Sequence, residues 1–142
     1  MAENSFDLQR FLTAQSLAWD GVCAELRQGR KQTHWMWFVF PQLAELGRSA
    51  TAKFYGLSGA DEARAYLAHP ILGERLMTCC EILLQLHQRS AVEIFGTIDA
   101  MKLRSCLSLF AAVSGADSVF AQCLVRYFGG ESDPMTVSLL AA

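Results

Sequence analysis

Residues 69–88 read H-P-I-L-G-E-R-L-M-T-C-C-E-I-L-L-Q-L-H-Q. Pro70 suits the first turn of a helix, where a missing N–H leaves no hydrogen bond unmade. From there Leu72, Leu76, Cys79, Leu83 and Leu86 recur in steps of three and four, which groups them on one face of a helix and on no face of a strand. The stretch predicts a helix running to about Gln88, with His69 at the junction before it. His87 falls near its C-terminus, where the helix dipole favours a cation.

The flanking sequence repeats this grammar. Upstream, Ser5 is placed to cap a helix carrying Phe6, Leu8, Phe11 and Leu12. A second pattern, Leu17, Val22, Cys23 and Leu26, stops at Gly29 and either forms its own helix or continues the first with a bend. Ser58 and Asp61 resemble a capping box opening a short helix to Ala68, and Ser90 with Glu93 forms a cleaner one for a single turn ended by Gly96. Asp99 is expected to cap a helix from Ala100 to Val113. Asp117 or Ser118 should open another that ends at Gly129 and Gly130, and Asp133 with Pro134 begins a last turn toward Ala142. No segment alternates with period two for long enough to demand a sheet. The expectation is an all-α domain of about six to eight helices, several of them short, spanning residues 1–142, with residues 1–4 disordered.

Composition agrees with one packed core. The chain has 142 residues, 52% of them hydrophobic and only 18% charged; the balance excludes wholesale disorder, and the length makes one core the working expectation, since halves would be too small to bury a good core. A net charge of -2 provides no global field for general nucleic-acid binding. The five cysteines form no C-x-x-C pair and sit in apolar helical patterns, so they read as reduced core thiols that bind no metal. The first thirty residues lack the pattern of a secretory signal, and no apolar run approaches the ~18 residues of a membrane span. A reducing cytoplasm is the expected compartment, with no membrane partner. No dedicated cofactor is expected.

One segment stands out from the scaffold. Residues 30–42, R-K-Q-T-H-W-M-W-F-V-F-P-Q, hold two of the three tryptophans. On a helix Trp35, Phe38 and Val39 would share one face and His34 and Trp37 a neighbouring one, and a helix apolar all round must be central. Two readings stay open. The rings are core, or Arg30, Lys31, His34 and Gln42 form a polar rim around Trp35 and Trp37, a chemistry suited to a base or sugar ring carrying phosphate. A second group, Asp99, Lys102, Arg104 and Ser105, lies in D-A-M-K-L-R-S. Asp99 and Lys102 face the same way on a helix, and Arg104 turns off by about 200°. Phosphate-loop, dinucleotide, zinc-protease and serine-hydrolase motifs are absent.

The string G-R-K-Q-T-H-W-M-W-F-V-F-P-Q, with F-D-L-Q-R-F-L-T-A-Q before it and A-R-A-Y-L-A-H-P-I-L-G-E-R-L, E-I-F-G-T-I-D-A-M-K-L-R-S and R-Y-F-G-G after it, resembles the bacterial family catalogued as domain of unknown function 1810. That resemblance implies a mainly helical fold and assigns no activity. A more distant similarity is to the NADAR superfamily, through Ala14–Gln15, His69–Leu76 and Ile98–Leu103. It implies ADP-ribose chemistry, although Met101 and Lys102 stand where that family has Trp-Gly and its acidic-histidine pair is missing. Taken together, the expectation is a pocket for a nucleotide or ADP-ribose-like ligand, with N-glycoside hydrolysis by Asp99 and His34 as its catalytic form. Arg30 and Lys31 would hold phosphate, Trp35 or Trp37 would stack on a ring, Gln42 would hydrogen-bond sugar or base, and Lys102 or Arg104 would add charge. The alternative is a non-catalytic helical adaptor.

Overall fold

The structure, a computed structural model, describes residues 6–141. The expected cap at Ser5 and the disorder expected for residues 1–4 lie outside the described residues. The two opening patterns form one unbroken helix, α1 (Gln9–Gln28). It ends where Gly29 takes a left-handed φ of 72°, letting the N–H groups of Gly29 and Arg30 close on Leu26 O and Glu25 O at 2.9 and 3.0 Å. Its inward positions include Phe11, Gln15, Val22 and Leu26. Leu17, expected to face inward, is 94% exposed, because two residues beyond buried Gln15 is the far side of a helix.

Residues 30–42 depart from the helical reading. They hold a single turn, α2 (Met36–Val39), between non-helical pieces. Two local causes are visible: the Glu25 carboxylate takes the N–H groups of Gln32 and Thr33, and Phe40 precedes Pro41, which disfavours helical backbone. The chain then closes a small loop. Ala44 N–H donates to Leu57 O at 2.8 Å and Leu57 N–H to Gln42 O at 2.9 Å, around a 3-10 turn at Ala44–Leu46 and α3 (Ala50–Phe54).

The next helix, α4 (Ala60–Ala68), opens at Gly59 without a side-chain cap, so the capping box expected at Ser58 and Asp61 does not form. Ser58 N–H donates instead to Glu62 Oε1 at 2.8 Å. Helix α5 (Pro70–Gln85) begins as expected at Pro70, and His69 Nδ1 accepts from the N–H groups of Ile71 and Leu72. It stops three residues short of Gln88 because Leu86 turns extended, leaving His87 exposed beyond the helix end. The capping box of Ser90 and Glu93 opens α6 (Ala91–Phe95). Helix α7 (Thr97–Ser114) starts at Gly96, so Asp99 lies inside its first turn and does not cap it. Ser118 caps α8 (Val119–Phe128), and Asp133 accepts from Thr136 N–H at 3.0 Å at the start of α9 (Pro134–Ala141).

The central helix is α7, which packs on α4, α6, α8 and α9. Leu103, Cys106, Leu107, Leu109 and Phe110 are all fully buried on it. Burial on every side, expected for residues 30–42, therefore belongs to the middle of α7, residues 105–110, while Ile98 and Met101 in its first turns stay exposed. Its inward serines stay satisfied: Ser105 Oγ donates to Met101 O, and Ser108 Oγ donates to Arg104 O while accepting from Asp133 N–H. All five cysteines are buried free thiols. Desolvation pushes the Cys79 and Cys106 thiols well above their ordinary range, which keeps them unreactive. The architecture is all-α, with nine α-helices, six of them of seven or more residues, and no strand among the described residues.

Two helical glycines should respond oppositely to alanine. Gly21 in α1 has open space where a Cβ would stand, whereas at Gly73 a Cβ would lie 2.1 Å from Leu67 O across the α4–α5 corner. Gly21→Ala is expected to raise stability by about 1 kcal/mol through helix propensity. Gly73→Ala should lower it by about 1–3 kcal/mol or more, because the clash is with backbone that cannot rotate away. Urea melts of both variants check the pair; a stabilised Gly73→Ala would show that the corner is looser than this.

Candidate functional site

The site is built outward from Glu25, near the end of α1. Its Oε1 accepts from Gln32 N–H at 2.7 Å, Thr33 N–H at 3.1 Å and Trp35 Nε1 at 2.9 Å, and its Oε2 accepts from the Thr33 hydroxyl at 2.6 Å. These bonds tie down a loop that has no regular structure of its own. They also bring Lys31 inward, where its side chain is only 7% exposed and its ammonium lies 2.9 Å from Asp99 Oδ2. The same ammonium donates to Thr33 O at 2.6 Å and stands 5.1 Å from the Trp35 ring centroid.

Asp99 sits between two cations. Its Oδ1 lies 3.4 Å from Lys102 Nζ, one helical turn along α7, and that ammonium is 4.9 Å from the Trp37 ring centroid. Trp37 and Lys102 form part of the wall of an open cleft of about 650 Å³, together with Gln42, Arg48, Met101 and Met135. The structure thus brings together Lys31, Asp99, Lys102 and Trp37, with Gln42 lining the same cleft as Trp37 and Lys102. The remaining candidates lie elsewhere. Trp35 is 2% exposed and packs on Phe40 and Phe95. Arg30 and His34 are exposed. Arg104 holds the turn before α9, donating to Glu131 O and Ser132 O at 2.9 Å each. Gln15 is buried on the inner side of α1, donating to Phe38 O and Tyr66 Oη.

A family model described as "Protein of unknown function (DUF1810)" matches residues 5–140. The chain belongs to the DUF1810 family. Among solved structures this DUF1810 chain is 49% identical to the conserved hypothetical protein Rv1873 from Mycobacterium tuberculosis, with a TM-score of 0.95, covering 98% of this chain and 99% of that one. No curated protein matches. Among the described residues no helix of the DUF1810 chain is long and apolar enough to cross a membrane. No group of three or more His, Cys, Asp or Glu is placed there to hold a metal ion.

Two residues that shape this site, Glu25 and Met135, carry no signal in the sequence. Glu25 carries no motif, because its partners are four backbone and side-chain donors on three residues 7 to 10 positions away. Met135 reaches the cleft from the far end of the chain. The Glu25 lock in this DUF1810 protein has a pH signature. Burial alone would push the carboxyl up, but the bonds from the Thr33 hydroxyl, the Gln32 and Thr33 N–H groups and the Trp35 indole outweigh it and lower the value from 4.5 to about 2. A carboxylate favoured by folding contributes stability above its unfolded value and loses it on protonation. Stability should therefore fall between pH 4.5 and about 2, and Glu25→Gln should flatten that part of the profile. Denaturation midpoints across that range check it; an unchanged slope in the variant would contradict the lock.

Proposed function

We propose that the DUF1810 chain binds a small organic anion carrying a flat ring, of the nucleotide or ADP-ribose-like class, in the cleft beside Trp37. The observation that carries this reading is the Lys102 ammonium 4.9 Å from the Trp37 ring centroid, at the wall of a cleft of about 650 Å³. A cation over a half-buried indole at a cleft wall offers positive charge and aromatic surface together. The volume lies within the roughly 300–1,000 Å³ of ligand sites, and an amide at Gln42 among apolar walls matches their usual balance. The catalytic form of the proposal, N-glycoside hydrolysis, falls to Asp99, which is held against Lys102 at the cleft wall; His34, exposed outside the cleft lining, would join it only by a rearrangement of residues 32–35. In that form Asp99 would have to release one of its two lysines to hold a water.

The test is a set of thermal melts with ADP-ribose, NAD and AMP, since a ligand bound only by the folded state stabilises it by about 2.7 kcal/mol at a hundredfold excess over Kd. At least one ligand should raise the wild-type midpoint, and Lys102→Met should abolish the rise. No shift with any of them would overturn the reading. A second reading, a helical adaptor, draws support from Ile98, Met101 and Met135, which line the same cleft and are 72%, 67% and 61% exposed. Large apolar side chains crowded at one mouth are also what a protein partner would cover.

A further inference from the structure

We propose that the cleft prefers a ligand with a single anionic group beside its ring, and that Lys31 is the positioning residue behind this preference. The inference rests on the binding reading above and adds the ligand's charge. Trp35, Lys31, Asp99, Lys102 and Trp37 form an alternating row of ring, cation, carboxylate, cation and ring. The inner end of the row is fixed. Lys31 is 7% exposed, its ammonium donates to Thr33 O at 2.6 Å, and its backbone N–H donates to Ile94 O at 2.8 Å. Thr33 is tied in turn to Glu25. Asp99 therefore commits one oxygen inward at 2.9 Å and reaches Lys102 with the other at the looser 3.4 Å.

Counted by ion pairs, two ammonium groups share the one carboxylate of Asp99, while the Glu25 carboxylate is taken up by neutral N–H and O–H donors and lies within 4 Å of neither lysine. Lys31 is the inner, desolvated member, so the uncompensated charge is expressed at Lys102, whose side chain is 22% exposed beside Trp37. One anionic group arriving at Lys102 completes the row, and it forms the charge-assisted bond that a neutral ring compound lacks. A second anionic group meets a different setting. The other charged residues lining the cleft are Arg48, Glu45 and Asp133, two acids to one base, so extra negative charge gains nothing there. Without Lys31, Asp99 would pair with Lys102 alone, the row would become neutral, and the pull on an anion would disappear.

The experiment holds the ring constant and varies the charge: calorimetric Kd values for adenosine, AMP and ADP, on the wild type and on Lys31→Met. For the wild type, AMP should bind about tenfold or more tighter than adenosine, the gain of one charge-assisted bond, and ADP no tighter than AMP. Lys31→Met should keep the adenosine affinity and lose the AMP advantage and its salt dependence, while Lys31→Arg restores both. A purely structural Lys31 would weaken adenosine and AMP together, which would overturn its role. If Lys31→Met fails to fold, Lys31→Arg decides: an AMP advantage outside threefold of wild type overturns the assignment, and one within it upholds the assignment. Tighter binding of ADP than AMP overturns the charge preference and leaves the binding reading standing. No binding by any of the three overturns both.

Discussion

Replacing Trp35 by alanine is expected to lower stability by about 3–5 kcal/mol, while the same change at its neighbour His34 should stay within about 0.5 kcal/mol. The two residues adjoin in sequence and differ entirely in environment. The Trp35 ring is 2% exposed, packs edge-on to Phe95 and tilted to Phe40, and donates its indole N–H to Glu25 at 2.9 Å. Truncation opens a cavity in the core and also removes one of the bonds that hold residues 32–35 against α1. His34 is exposed, so its loss opens no cavity. Urea denaturation of both variants measures the contrast. A His34→Ala variant as unstable as Trp35→Ala would mean that the histidine is packed into the core.

Arg10→Met should rank with it, at about 3–5 kcal/mol, because removing one partner of a buried pair strands the other charge. Arg10 lies 3.0 Å from Glu62, with side chains 10% and 5% exposed. Its guanidinium also donates to Phe54 O at 2.8 Å, to Gly56 O at 2.9 Å and to Asp7 O, so one side chain joins α1 to the loop before α4. Loss of the arginine leaves the buried Glu62 without its ion-pair partner and the carbonyls of Phe54, Gly56 and Asp7 without this donor. The double variant Arg10→Met with Glu62→Gln should recover part of the loss, as a double-mutant cycle would measure. A cost below about 1 kcal/mol for Arg10→Met alone, the range of exposed pairs, would show that the pair is solvated.

Helices were legible wherever local chemistry specified them. Pro70, the Ser90–Glu93 box, Ser118 and Asp133 each act within three or four residues of themselves, and each is found where expected. Failures occurred where a distant partner intervened. The Ser58–Asp61 box did not form because Ser58 N–H goes to Glu62, itself held by Arg10, Asp99 was drawn to two lysines, and Glu25 unwound the start of the aromatic segment by taking its N–H groups. Residues 30–42 and 99–104 were singled out by their chemistry, yet sequence could not say that Lys31 and Lys102 share one carboxylate. Arg104 was separated from Lys102 by the helical angle already visible in the spacing. The cleft itself was invisible, because Gln42, Lys102 and Met135 meet only after α7 and α9 have packed.

The most direct test of ligand binding beside Trp37 is an NMR titration with AMP of the chain labelled uniformly with 15N and with 13C at the methionine methyls, following the indole N–H signals of its three tryptophans together with the methyls of Met101 and Met135. Trp37, Met101 and Met135 line one cleft, whereas Trp35 is buried and Trp19 stacks under Arg75 on α5. The account predicts a saturable shift of the Trp37 indole and the two methyls, with the Trp19 signal unmoved. A saturable shift centred on Trp19, or no shift of Trp37 at millimolar AMP, would contradict it.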